Sequence, residues 1–210
     1  MSNPEKIEQE EKVSEEMREW LTDTFGTTLE QFHLTVDELK DKKIIEIGAF
    51  DRRLAATCLL LGGTKEVYSV EPALGSEDQE GYADKQLLMA VLEKLPSSMR
   101  QQIEQRTLIT DAEHIPLQDE SVDVILGRSV PWQSVEQLAG RLKEGLRLGH
   151  EIRLYPITDR NQHEVDEALK LLQQENLQTQ FEYVVTTDTE IPTENGMVRV
   201  QDKVLIVRDT

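Results

Sequence analysis

The amino-acid sequence predicts an α/β fold: a doubly wound, mostly parallel seven-stranded sheet with a C-terminal antiparallel strand pair and an N-terminal helical extension. Two observations support this prediction. Short apolar runs that are typical of buried strands alternate with segments typical of helices, which indicates parallel strands joined by right-handed crossovers. Two longer alternating segments follow, at 179–187 and 197–207, around a turn-rich stretch at 192–196. Such a pair is typical of a hairpin that adds an antiparallel edge to a parallel sheet.

The composition is that of an acidic chain with one substantial domain. The chain has 210 residues, a formal net charge of −18 and a single cysteine, Cys58. Its charge disfavours nucleic acid as a partner, because phosphate backbones bind basic surfaces. The single cysteine excludes an internal disulfide framework, and its position in the apolar run 54–61 indicates a buried structural thiol. With four scattered histidines, it also offers no zinc site.

The N-terminal segment predicts a helical cap, residues 1–38, on a main domain of residues 39–210. Proline at position 4 is a helix start signal, and we expect the helix to run to about Thr24. Its apolar face would combine Val13, Met17, Trp20 and Leu21. The segment has no secretory signal pattern, and no apolar stretch of the chain approaches the length of a membrane span. We therefore expect a soluble, cytoplasmic protein without a membrane partner.

The elements between the cap and the hairpin follow in order. A helical turn is expected at 35–39. Apolar, β-branched runs predict strands at 43–48, 66–72, 107–110, 121–127 and 151–155. Helical patterns fall at 53–61, 85–95, just after Pro96, 134–146 and 162–175, and an acidic loop is expected at 73–83.

Four junctions at the carboxyl ends of these strands carry the candidate chemistry, because ligands of doubly wound sheets bind at this edge. The first is the strand–turn–helix segment 46–53, where glycine lets the backbone approach a ligand and a helix N-terminus faces an anion. Glu71 closes the second strand, where a carboxylate can accept both hydroxyls of a ribose. Asp111 follows the third strand, and Arg128 follows the fourth.

Together these junctions resemble those of the class I S-adenosylmethionine-dependent methyltransferases over residues 40–210. That family carries an acid-x-Gly-x-Gly-x-Gly loop, an acid after strand two, an Asp-Ala segment with a proline after strand three and a Ser-Phe-Asp-type start of strand four. A Lys-Pro-Gly-Gly turn often precedes strand five. The corresponding segments here are 46–52, 71–72, 111–116, 121–125 and 147–151.

The resemblance implies S-adenosylmethionine as the cofactor. Gly48 and Ala49 would lie against its methionine part, Glu71 would hold the ribose, and Asp111 with the backbone of Ala112 would bind the adenine. The full predicted cofactor-binding set is Glu46, Gly48, Ala49, Phe50, Glu71, Pro72, Asp111, Ala112 and Arg128. Two simpler interpretations stay open: Glu71 only ends its strand, and Asp111 is only a turn residue.

Two residues depart from the family pattern, because Phe50 and Arg52 stand at the second and third glycine positions. A glycine-only backbone conformation at Phe50 would cost on the order of 1–3 kcal/mol. Its ring would lie either in the cofactor pocket or over the first helix of the main domain. Arg52 and Arg53 begin that helix, where they oppose its dipole. We expect them to pair with surface acids; an anionic ligand is the alternative.

Two hypotheses of function follow. The first is an S-adenosylmethionine-dependent methyltransferase that acts on a small molecule or a protein. Its acceptor would contact residues 128–132, where Trp132 is either a pocket wall or an anchor for the next helix. The second is a catalytically inactive, methyltransferase-like binding or interaction protein, with Phe50 in the cofactor pocket. A nicotinamide-dependent reductase fits less well, because its Gly-x-Gly-x-x-Gly pattern would place Phe50 and Arg53 at glycine positions.

Overall fold

A computed structural model describes residues 13–72, 89–175, 177, 179–193 and 196–209. Within them, one sheet has the strand order β3-β2-β1-β4-β5-β7-β6. The strands are β1 (Lys43–Ile47), β2 (Glu66–Val70), β3 (Thr107–Leu108), β4 (Val122–Arg128), β5 (Gly149–Ile157), β6 (Thr179–Thr193) and β7 (Gly196–Asp209). Strands β1 to β5 are parallel, and β7 runs antiparallel to both β5 and β6. The predicted fold class is confirmed.

Helices cover both faces of the sheet. They are α1 (Glu15–Gln31), α2 (Val36–Leu39), α3 (Arg53–Leu61), α4 (Ser97–Gln105), α5 (Val135–Leu148) and α6 (Gln162–Gln174), with a 3-10 turn at Leu92–Lys94. Because successive side chains of a strand point to opposite faces, Ile44 packs into a core with α1 and α3, whereas Ile45 packs into a second core with α5 and α6. Both side chains are fully buried, so each face of the sheet packs against its own helical layer through an apolar core.

Helix α1 is longer at its C-terminal end than predicted. It continues to Gln31 through Gly26 and a run of threonines, which are poor helix formers. Burial outweighs this weak propensity, because Phe25 and Leu29 insert into the core beside α3. Four threonine hydroxyls of the helix also donate to the carbonyl of the residue four positions earlier. A continuous helix from position 4 is wrong, because Ser14 caps a helix that begins at Glu15 and Val13 precedes it. The predicted start itself lies outside the described residues.

A buried arginine fixes the connection from α1 to the sheet. Arg153, on β5, is 3% exposed, and its guanidinium donates to the carbonyls of Phe32 and His33. Its Nε donates to Glu151 at 2.6 Å. Glu38, at 3.5 Å from the guanidinium, closes a capping box with Thr35 at the start of α2. The helical turn predicted at 35–39 is therefore attached to β5 through the ion pair of Glu38 with Arg153.

Other predicted boundaries differ in detail. Strand β3 has two residues rather than four, whereas β5 and the hairpin strands are longer than predicted. The described end of the helix predicted at 85–95 is largely a 3-10 turn, and the acidic loop at 73–83 lies outside the described residues. Cys58 is 3% exposed, as predicted, and burial raises the pKa of its thiol to about 12. In the described part of the chain, no helix combines the length and apolarity needed to cross a membrane.

Candidate functional site

The loop between β1 and α3, residues 48–52, adopts a left-handed backbone at three alternate positions. We call it the glycine-position loop. The φ angles are 71° at Gly48, 45° at Phe50 and 57° at Arg52. These are the three positions at which the resembling family carries glycine. The loop is held down on β2, since the N–H of Gly48 donates to the carbonyl of Val70 at 3.2 Å. The chain therefore keeps, at two residues with side chains, a backbone that normally favours glycine.

Gly48 is required by a close approach of two strands. A Cβ atom built on Gly48 would lie 2.5 Å from the carbonyl oxygen of Arg128, at the end of β4. No side chain fits at that distance, and the positive φ independently disfavours one. Gly48 thus brings the ends of β1 and β4 together at the centre of the sheet, where the strand order reverses.

The ring of Phe50 points outward from the loop. It is 47% exposed and lines a groove of about 680 Å³ that also includes Met17 and Trp20 of α1. Trp20, predicted on the apolar face of α1, is itself 40% exposed and lies 5.1 Å from the guanidinium of Arg53. The Phe50 ring is therefore not buried in the domain core.

Arg52 does not lie at the surface, where it was predicted to pair with acids. Arg52 is 2% exposed, and its Nη2 lies 3.2 Å from the sulfur of Met89. Burial lowers the pKa of its guanidinium, and the nearby carboxylates of Glu104 and Glu71 act in the opposite direction. The whole side chain is buried, so its charge is balanced by carboxylates inside the domain and not by surface acids. Arg53 pairs with an acid, Asp51, but that acid is 6% exposed and not at the surface.

Glu71 lies at the ligand edge, where the sequence places it. The side chain is 7% exposed, and its Oε2 accepts the N–H of Phe50 at 2.9 Å. This bond joins the end of β2 to the glycine-position loop. Pro72, the next residue, is exposed. Ala49 is buried under the same loop.

Asp111 is an exposed residue of the turn after β3. Its Oδ1 accepts the N–H of Glu113 at 2.8 Å and lies 3.2 Å from the ring nitrogen of His114. The bond from the Glu113 N–H is the main reason why the pKa of the Asp111 carboxyl is lowered. The turn-residue interpretation is thus accounted for, while adenine binding by Asp111 stays a prediction. Ala112, beside it, is buried.

Glu46 and Arg128 form a buried ion pair behind the loop. Arg128 Nη2 lies 3.1 Å from Glu46 Oε1 and also donates to the Thr28 hydroxyl of α1. Glu46 is 1% exposed, and its burial raises the pKa of the carboxyl to about 8, although Arg128 opposes this shift. Its Oε2 atom has no hydrogen-bond partner among the described residues. Two residues of the predicted cofactor set are therefore in direct contact with each other.

A cavity of about 340 Å³ lies at the carboxyl ends of β4 and β5. The predicted acceptor segment contributes residues 129–132, and Trp132 lines the cavity. Its indole N–H donates to Glu164 of α6 and not to α5, the next helix, so its role as an anchor for that helix stays a prediction. The other wall, made by Tyr155, Asn161 and Glu164, was not predicted. The predicted junctions lie at the ends of β1 to β4, whereas Tyr155 lies in β5 and the other two residues follow that strand.

The cavity adjoins the glycine-position loop through one side chain. Val130 Cγ2 lies 3.6 Å from the Cβ position above Gly48 and 3.4 Å from that above Gly127. Both Val130 and Gly127 line the cavity. The ends of β1, β4 and β5 thus form one continuous edge.

Comparison with solved structures supports the fold. No protein-family model matches the chain, and no curated protein matches its sequence. A candidate RNA methyltransferase from Pyrococcus horikoshii matches with a TM-score of 0.52 and 17% identity, over 97% of this chain and 88% of that one. A candidate S-adenosyl-L-methionine-dependent methyltransferase from Methanococcus maripaludis matches with a TM-score of 0.52 and 12% identity, over 94% and 89%.

A third solved structure, a candidate methyltransferase from Bacillus halodurans, has a TM-score of 0.52 and 11% identity over 89% of this chain and 98% of that one. The chain has the class I methyltransferase fold. At these identities the similarity establishes the fold alone, so activity has to be argued from the residues at the carboxyl edge of the sheet.

Proposed function

We propose that the chain is an S-adenosylmethionine-dependent methyltransferase that acts on a small molecule or a protein. The observation that carries this proposal is the conformation of the glycine-position loop. It keeps positive φ angles at Gly48, Phe50 and Arg52, and the Phe50 ring is 47% exposed instead of filling the domain. An inactive, interaction-only protein would predict a Phe50 ring packed into the cofactor pocket.

The residues at the edge fit the polar parts of this cofactor. Glu71 would accept the ribose hydroxyls, because a carboxylate has about four acceptor sites and the Phe50 N–H orients it. The buried Oε2 of Glu46 would accept a donor from the methionine ammonium group, which would remove an unpaired polar atom. Asp111 and Ala112 would face the adenine.

The bound cofactor would supply a methyl group on a positively charged sulfonium. The chain would position the cofactor and the acceptor and would not need a dedicated base, since methyl transfer can proceed by alignment of the two reactants. Because Gly48 and Gly127 have no side chains, the glycine-position loop and the β4–β5 cavity can lie next to each other, with Val130 between them. The acceptor would then bind in that cavity, beside Trp132 and Tyr155.

The acid balance favours acceptors other than nucleic acid. The net charge of −18 opposes phosphate backbones, and the charged residue that lines the cavity is an acid, Glu164. A candidate RNA methyltransferase from Pyrococcus horikoshii shares the fold, but a shared fold does not transfer a substrate.

A thermal-shift experiment with S-adenosylhomocysteine tests the assignment of Glu71. Saturating ligand should raise the melting temperature of the wild-type chain by several degrees, because a ligand that binds the native state alone stabilises it. Glu71→Gln keeps an acceptor for the Phe50 N–H but loses the charge, so its affinity should fall about tenfold. Glu66→Gln is the control, since Glu66 lies on the same strand and pairs with Lys43 and Arg106. If the ligand raised the melting temperature of both variants equally, Glu71 would not be a ligand-binding residue.

A further inference from the structure

The lining residues of the β4–β5 cavity include a negative charge. Among its lining residues in the described part of the chain, Glu164 alone is charged, and that charge is negative. Two cations outside the lining have acidic or polar partners: Lys203 bonds to Asp159 and Gln162, and Arg141 bonds to Glu113 and the carbonyl of Pro131. The lining itself therefore carries one negative charge and no positive charge among the described residues.

Both aromatic rings of the cavity donate a hydrogen bond to a carboxylate. Trp132 Nε1 donates to Glu164 Oε2 at 2.5 Å, and the Tyr155 hydroxyl donates to Asp202 Oδ2 at 3.1 Å. An aromatic face is negative because of its quadrupole, and donation to an anion increases its electron density. These bonds also fix the two rings, and Phe32 packs edge-on against Tyr155 at 6.2 Å. Ordered, electron-rich rings beside a carboxylate are a recognition site for a cation.

The size of the cavity limits what can enter it. About 340 Å³ is at the lower end of small-molecule sites, so it accommodates one compact group rather than an element of secondary structure. Asn161 offers little polar selectivity, because its side chain already bonds to Thr158 and Pro156. Selection then rests on Trp132, Tyr155 and Glu164.

We propose that the methyl acceptor is an organic amine, held as an ammonium cation between Trp132, Tyr155 and Glu164. This inference rests on the proposed function and specifies its substrate class. The bound ammonium releases a proton to water, and the nitrogen lone pair forms a bond to the methyl carbon. The carbon–sulfur bond breaks with its electron pair left on sulfur, so that the products are a thioether and an N-methylammonium ion.

Binding of amines can be measured without any cofactor. The chain has two tryptophans, so Trp20→Phe leaves Trp132 as the one fluorescent reporter. The probes are 2-phenylethylamine, its anionic counterpart 3-phenylpropionate, and Nα-acetyl-lysine methylamide, which represents a peptide lysine. We expect saturable quenching by at least one amine and none by the carboxylate. Tighter binding of the phenyl or the lysine probe identifies a free amine or a peptide as the source.

Two variants on one helix show whether Glu164 is responsible, with calorimetry as the second readout. Glu164→Gln should weaken amine binding about tenfold through loss of the negative charge. Glu167→Gln, on the same helix but paired with Lys170, should stay within about twofold of the wild-type chain. Equal losses in the two variants, 3-phenylpropionate bound as tightly as the amines, or no amine binding would each overturn the proposal. The thermal shift with S-adenosylhomocysteine reports separately on the proposed function.

Discussion

Phe50 and Arg52 show how a glycine pattern can disappear while its backbone persists. A left-handed residue with a side chain costs roughly 1–2 kcal/mol, and surrounding contacts can offset this. The Phe50 N–H bonds to Glu71, and the Arg52 N–H bonds to the carbonyl of Ala49 at 2.8 Å. The buried guanidinium of Arg52 adds a further contact with Met89. The loop is therefore determined by its neighbours as much as by its own sequence.

Substitution at Phe50 measures the backbone strain of this loop. Because φ is 45°, Phe50→Gly should be more stable than Phe50→Ala by about 1 kcal/mol, the reverse of the usual order of alanine and glycine. Urea denaturation of both variants gives the difference. Equal stability, or a more stable alanine variant, would contradict a strained φ at this position.

For single residues, the sequence predicted the place of each residue in the fold better than its burial and its contacts. Gly48 and Glu71 lie where the strand–turn–helix pattern places them, because a strand end fixes the location of its last residue. The burial of Arg52 could not be predicted, since arginine at a helix start is usually exposed. Its position depends on Met89 and Glu104, which are remote in sequence.

The cap formed by α1 and α2 depends on Arg153 of β5. Arg153 is 3% exposed, and its guanidinium bonds to two carbonyls just after α1 and to Glu151. Arg128 makes a second link, from β4 to Thr28. The N-terminal helix is thereby attached to the same two strands that form the cavity.

Removal of Arg153 should loosen this cap. Arg153→Met leaves the buried carbonyl of Phe32 without its donor and removes one of the two arginines that pair with Glu151, so we expect a loss of about 3 kcal/mol in the free energy of unfolding. Arg208→Met is the matched control, because Arg208 also pairs with Glu151 but its side chain is 42% exposed. Exposed pairs contribute at most about 1 kcal/mol. Similar losses in both variants, measured by urea denaturation, would contradict the anchoring role.

At the scale of elements, buried strands were predicted well because their apolar runs are continuous. Strands β1, β2 and β4 match the predicted segments within two residues. Helix α1 was predicted too short, because Gly26 and the threonines mask a helix that tertiary burial stabilises. The hairpin strands were also too short, since β6 and β7 pair from Thr179↔Asp209 to Thr193↔Gly196. Pairing between strands outweighs turn-forming residues such as Pro192.

For the whole molecule, the strand order places the candidate cofactor and acceptor sites side by side. The order reverses between β1 and β4, and the acceptor cavity follows at β4 and β5. Alternating strands and helices were sufficient to predict this sheet. The cavity was only half predicted, because its second wall comes from the end of β5 and the start of α6.

The most direct test of this account is a calorimetric titration of the wild-type chain with S-adenosylmethionine. We expect one site per chain with a dissociation constant in the micromolar range, about 8 kcal/mol of binding free energy. Phe50→Gly should bind with unchanged affinity if the partly exposed Phe50 ring leaves the cofactor site open, as we propose. Absence of saturable binding at millimolar ligand, or binding that appears only in Phe50→Gly, would contradict the proposal that this fold still holds its cofactor.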